Sequence, residues 1–141
     1  TSIFPRLIGM QRKGRLAIIG NGLNKVDFTN VHNLNDALLS SLQVGGAALG
    51  QVYNISNGAP VPLWDVVNYV LRRLELPPVT RHVPFPLVHI DTHFKIPVMA
   101  RDFSLNIDRA REYLGYEPRA SLWNALDEFC TWWQAQMGPQ A

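Results

Sequence analysis

Apolar residues recur at helical spacing in several stretches of the chain and fall into short runs between them. Phe4, Leu7, Ile8 and Met10 make one apolar face over Ile3 to Arg12, with Ser2 before it as a cap and Gly14 after it as a stop. Leu16 to Ile19 is a short apolar run closed by Gly20-Asn21-Gly22, and Val26 to Val31 alternates around Asp27 and Thr29. The two read as strands of a small ribbon. Asn33 to Gln43 reads as a helix on Leu34, Ala37, Leu38, Ser41 and Leu42, capped by Asn33 with Asp36 at its third position. Gln51 to Ser56 reads as a strand before an Asn57-Gly58 turn. Pro62 to Leu74 is a strongly amphipathic helix built on Leu63, Val66, Val67, Val70, Leu71 and Leu74, and Pro77-Pro78 prevents its continuation. Thr80 to Pro97 keeps no period. Arg101 to Ile107 alternates weakly, Asp108 to Leu114 is a short helix ended by Gly115, and Ser121 caps a last helix to about Gln136. Met137 to Ala141 should fray. The pattern predicts a mixed α/β fold.

The chain has 141 residues, 47% of them hydrophobic, which suffices for a folded core and excludes wholesale disorder. A net charge of +2 leaves no footprint for nucleic acid, and no Lys/Arg cluster stands out. Apolar runs fall well short of the ~20 residues of a membrane helix. Thr1 to Met10 shows no basic start followed by an apolar core, so no leader is expected there. A single cysteine excludes an internal disulfide framework and a cysteine-rich zinc site. These features predict a soluble, cytoplasmic protein with neither nucleic acid nor membrane as partner.

Candidate chemistry is sparse. Gly20-Asn21-Gly22 opens no helix, and Gly45-Gly46-Ala47-Ala48-Leu49-Gly50 follows a helix and precedes a strand. Both reverse or lack the strand–glycine loop–helix order that cradles a dinucleotide phosphate. A tyrosine acidified by a lysine one helical turn on would serve as an acid/base pair. Residues four beyond Tyr53, Tyr69, Tyr113 and Tyr116 are Asn57, Arg73, Glu117 and Ala120, so no such pair exists. Arg73 is more simply a solvated helix end than an acidifier of Tyr69. His89 and His93, with Asp91 between them, lie among prolines and lack a third ligand, so no metal is expected. His82 reads as strand-associated, and His32 lies at a helix entrance. Cys130 reads as a small buried hydrophobe beside Phe129 and Trp133, and the Trp132-Trp133 pair as core plus a partner-facing aromatic. No catalytic residue, cofactor-binding residue or metal ligand is assigned.

Three stretches taken in order resemble the C-terminal part of the extended short-chain dehydrogenase/reductase superfamily. They are Phe4-Pro5-Arg6-Leu7-Ile8 through Ile19-Gly20-Asn21-Gly22 to Asp27-Phe28-Thr29 and Asp36-Ala37; Gly50-Gln51-Val52-Tyr53-Asn54-Ile55-Ser56-Asn57-Gly58 with Val61-Pro62; and Phe103 to Arg111 with Leu114-Gly115-Tyr116-Glu117-Pro118. Within the superfamily the chain looks most like the NAD-dependent epimerase/dehydratase or 3β-hydroxysteroid dehydrogenase-like branch. The resemblance implies a C-terminal substrate-binding lobe plus edge elements, one helix and one strand, of a Rossmann-type doubly wound sheet. Residues 1–32 and 57–136 would form the lobe, 33–56 the remnant of the sheet edge, and 137–141 a tail, all within one C-terminal fragment, 1–141. NAD or NADP would bind the intact parent, and neither is expected to bind this chain alone. The family chemistry is hydride transfer at a C–OH or C=O carbon.

The same resemblance bears on the substrate. Nucleotide-sugar epimerases of the family usually place arginine directly before the Asp27 position, where it grips the diphosphate. Here that residue is Val26, and an isopropyl group offers no bidentate contact. Lys25 should point to the opposite face of a strand. The expected substrate is therefore apolar, sterol-like or long-chain, with a hydroxy or keto group, and Phe4, Pro5, Arg6, Val26 and Phe28 are the candidate substrate-binding wall. Phe4 and Phe28 also suit a purely structural core. The short, proline-rich middle of the chain departs from the steroid branch and points to a compact soluble relative. The alternatives are part of a nucleotide-sugar epimerase/dehydratase, and, from another class, a non-catalytic small-molecule-binding or scaffold domain. A missing N-terminal Rossmann half is the expected partner. Without it, an unpaired strand and an uncovered helix face should drive self-association.

Overall fold

The computed structural model describes residues 3–84 and 101–137. Chain order is α1 (Ile3–Arg12), β1 (Ile18–Ile19), β2 (Lys25–Val26), α2 (Val31–Ser41), a 3-10 turn (Gly46–Ala48), β3 (Val61–Pro62), α3 (Leu63–Arg73), β4 (His82–Val83), α4 (Asp108–Leu114) and α5 (Leu122–Met137). The chain divides into two compact units. The first holds 1–26, 61–103 and 127–141, and the second 27–60 and 104–126.

In the first unit α3 is the hub. Leu63, Trp64, Val66, Val67, Val70 and Leu71 are buried on it, and each large side chain fully removed from water contributes about 1.5–3 kcal/mol. α1 packs on α3 through buried Leu7 and Ile8. Phe4 stacks on Phe129 of α5 with ring centroids 5.4 Å apart. Met10 does not join that apolar face; it is exposed, because the buried side of this short helix is already taken by Leu7 and Ile8. The expected ribbon of neighbouring strands does not form. β1 pairs in parallel with β4, Ile18 opposite His82, and β2 pairs antiparallel with β3, Val26 opposite Val61. The edge of β1 is taken by the 81–83 segment instead, the Ile18 amide donating to the Arg81 carbonyl at 2.8 Å and the Gly20 amide to the Val83 carbonyl at 3.0 Å. The Arg101–Ile107 strand reduces to one bridge, in which the Phe103 amide donates to the Lys25 carbonyl at 2.8 Å.

α3 is tied to α5 by polar contacts as well. The Tyr69 hydroxyl donates to Asp127 at 2.8 Å, and Arg73 Nε sits 2.8 Å from the same carboxylate. Asp127 raises the Tyr69 pKa, chiefly through that hydrogen bond, against a smaller lowering by Arg73. An arginine-acidified Tyr69 is thus excluded.

In the second unit Ala37, Ile107, Ala110, Leu114 and Tyr116 form the core, with Val44, Tyr53 and Ile55 packed against it. α2 begins two residues earlier than its leucine spacing implies. Asn30, not Asn33, is its cap, accepting the His32 amide at 2.9 Å. The Val26–Val31 strand therefore stops at Val26, since Val31 already belongs to α2. Gln51–Ser56 is not a strand either; its alternation is present, but no neighbouring strand pairs with it among the described residues. Ser121 caps α5 as expected, accepting the Trp123 amide at 3.2 Å.

Candidate functional site

The five wall candidates separate into two groups. Phe4, Pro5 and Arg6 lie together on the first turn of α1, the first two half-buried and Arg6 exposed. Val26 belongs to the same unit and is buried within the β2–β3 pair. Phe28 lies in the second unit, half-buried, where its carbonyl accepts the Asn57 amide at 2.9 Å.

The most ordered polar chemistry is one that sequence reasoning missed. In the second unit, Asp27, Asn30, Asn33 and Ser56 are buried side chains. Asn33 uses its whole hydrogen-bonding capacity. Its amide nitrogen donates to Asn57 Oδ1 and to the Ala120 carbonyl, both at 2.9 Å, and its oxygen accepts the Arg119 and Ala120 amides at 2.9 and 2.8 Å. Asn30 Nδ2 donates to the Ser121 carbonyl at 2.8 Å. The Ser56 hydroxyl donates to Asp27 Oδ2 at 2.6 Å and accepts the Gly58 amide at 3.1 Å. The Tyr116 hydroxyl donates to the Ser56 carbonyl at 2.8 Å. Burial, then the nearby Asp27 and Asp36, push the Tyr116 pKa up, with Arg111 opposing. This phenol is held protonated. It fixes the 51–56 segment rather than offering a base. The only sequence trace of the network is an unusual density of asparagine at 30, 33 and 57.

A shallow polar depression of about 230 Å³ in the second unit is lined by residues that include Asp36, Ser40, Gln43, Glu117 and Arg119. No group of three metal-ligating side chains occurs among the described residues. His89, Asp91 and His93 lie outside them. Cys130 is buried, and burial raises its thiol pKa, as expected for an inert core residue.

The glycine turns do not fit an NAD(P) pyrophosphate. Gly22 faces its own core, since a Cβ there would meet Ile18 Cγ2 at 2.6 Å. Gly46 opens a 3-10 turn of three residues and not a helix whose amides could point at a phosphate. No step is assigned through a nucleotide on these residues.

No family model matches the chain. Among curated proteins it is 30% identical over 146 residues to a 2-alkyl-3-oxoalkanoate reductase of Stenotrophomonas maltophilia, covering 88% of this chain and 44% of that protein. It is 26% identical to the decarboxylating sterol-4-alpha-carboxylate 3-dehydrogenase of Mus musculus, over 89% of this chain and 41% of that one. The chain thus spans about two fifths of the length of these relatives. Among solved structures, an epimerase from Methanothermobacter thermautotrophicus superposes with a TM-score of 0.72 at 22% identity, over 97% of this chain and 38% of that one. A UDP-glucose 4-epimerase of Thermotoga maritima, solved with UDP-glucose, gives 0.70 at 18% identity, over 98% and 41%. Other neighbours were solved with NAD or NADPH. These homologues are members of the extended short-chain dehydrogenase/reductase superfamily, of the NAD-dependent epimerase/dehydratase or sterol dehydrogenase type, and the chain resembles them over about two fifths of their length.

Proposed function

We propose that this chain is the substrate-binding portion of an NAD(P)-dependent oxidoreductase acting on a hydroxy or keto group of an apolar, sterol-like or long-chain substrate, and that it is inactive alone. The observation that carries the substrate class is Val26. It is 6% exposed and locked by pairing to Val61, so neither its chemistry nor its position offers a cation to a diphosphate. The named activities of the reductase and sterol dehydrogenase relatives agree with this class. Phe4, Pro5, Arg6, Val26 and Phe28 are the proposed wall, and the cytoplasm is the proposed location; among the described residues no helix is long and apolar enough to cross a membrane.

The need for a second half is supported by α2. Its inward side carries Asn33 and Ala37, while Val31, Leu38, Leu39 and Leu42 are 57 to 80% exposed. Such a face marks an interaction surface. The nucleotide-binding Rossmann half of a complete enzyme is its proposed cover, with residues 33–56 as the edge of that sheet.

Calorimetry tests the reading. The chain alone should bind neither NAD nor NADP, and should turn over no alcohol. When it is joined to the N-terminal half of the Stenotrophomonas reductase, reduction of a long-chain 3-keto substrate is expected. Turnover or tight NAD binding by the chain alone would overturn the proposal. Saturable binding of UDP-glucose in preference to the apolar ketone would move it to the epimerase/dehydratase alternative.

A further inference from the structure

The near-neutral total charge conceals a division. The first unit holds ten of the thirteen Lys+Arg and six of the eleven Asp+Glu, leaving three and five to the second. The imbalance is concentrated in residues 1–26, which contain Arg6, Arg12, Lys13, Arg15, Lys25 and no acid. Arg6 and Arg12 are exposed on α1, and Lys13 and Arg15 are exposed in the turn that follows.

Two large apolar side chains share this surface. Ile3 is 44% and Met10 42% exposed. Ile3, Arg6, Met10 and Lys13 are spaced three, four and three apart, which places them on one face continuing into the turn. Leu7 and Ile8 hold the other side of α1 in the core. In the same unit, Trp132 and Met137 of α5 are also exposed. Residues 3–15 mix exposed apolar side chains with cations and carry no carboxylate of their own, so they have two complementary needs: an apolar layer and a negative one. Anionic lipid headgroups over acyl chains supply both. A nucleic acid would satisfy only the charge, and this face of α1 offers no aromatic ring or side-chain amide to bases.

We propose that α1 docks the protein on an anionic phospholipid bilayer, Ile3 and Met10 entering the headgroup layer while Arg6, Lys13 and the flanking Arg12 and Arg15 meet lipid phosphates. Arginine and lysine reach such phosphates by extending their aliphatic stems sideways along the helix. The expected association is peripheral and reversible, since only two apolar side chains enter; it needs no membrane-spanning run and departs from the sequence expectation of no membrane partner. It shares Arg6 with the proposed substrate wall, and a substrate of low water solubility would reside in the same bilayer; flotation reads docking without turnover, so the two proposals fail separately.

Vesicle flotation of the full chain tests this. Phosphatidylcholine vesicles containing phosphatidylglycerol should carry the protein at low salt and release it at high salt, and pure phosphatidylcholine vesicles should not carry it. The Arg12→Glu/Lys13→Glu double variant should lose at least about tenfold in partitioning. Ile3→Ser/Met10→Ser should lose roughly severalfold. All four residues are exposed, so thermal unfolding should be nearly unchanged, and that control separates lost docking from lost folding. Failure to float with anionic vesicles, equal binding to neutral ones, or wild-type partitioning by the charge-reversed variant would overturn the proposal. So would salt-sensitive binding of duplex DNA or RNA in place of vesicles.

Discussion

Asn33 shows how much one buried amide organises. Its two donor hydrogens and both acceptor positions of its oxygen are engaged, with partners in the Asn57 turn and the 119–120 segment. Asn33→Ala leaves several of those groups buried and unpaired, and should cost about 2–4 kcal/mol in urea unfolding. Tyr116 gives a pH signature. Its folded pKa is raised, so the folded state holds the phenolic proton more tightly than the unfolded chain. The stability this contributes is complete below the unfolded tyrosine pKa of about 10 and is lost as pH rises through the folded value. Urea midpoints should therefore fall on the alkaline side, and Tyr116→Phe should flatten that fall while losing the hydrogen bond to Ser56. An unchanged alkaline slope in the variant would refute the assignment.

At the scale of elements, α2 is the informative case. Its helix is legible from leucine spacing alone, yet its cap and its inner face are not. A leucine stripe predicts an apolar inward side, and here a satisfied asparagine and an alanine occupy that side. The turn before β3 carries a second lesson. Gly58 has φ 63°, and a Cβ there would lie 2.7 Å from Ile107 Cδ1. Gly58→Ala must both strain the backbone and displace a core side chain, with an expected cost of about 1–3 kcal/mol in thermal unfolding. Asn57-Gly58 reads as a turn in sequence; that the glycine also makes room for Ile107 does not.

For the whole molecule, the exposed leucines of α2 bear on association. In the absence of a covering partner we expect the isolated chain to self-associate in sedimentation velocity, by this face. Leu38→Glu/Leu42→Glu should shift it toward monomer with little effect on unfolding, because both side chains are 57% exposed or more. A clean monomer of the unaltered chain at high concentration would sink that expectation. The charge division between the two units is likewise a property of the whole chain, invisible in the net value of +2.

By itself the sequence determined the positions of the helices, the sharp glycine turns and the family resemblance. Helix periodicity, caps and turn chemistry act over a few residues, so a linear reading captures them. Family motifs are likewise short and ordered along the chain. Only the tertiary structure decided which strands pair, which face of α2 is inside, and which side chains of the basic N-terminal stretch are exposed. β1 finds β4 rather than the nearer β2, and Asn33 finds its partners at 57, 119 and 120. Such choices depend on hydrogen bonds and burial between residues far apart in sequence, and local pattern carries no record of which distant group will satisfy them.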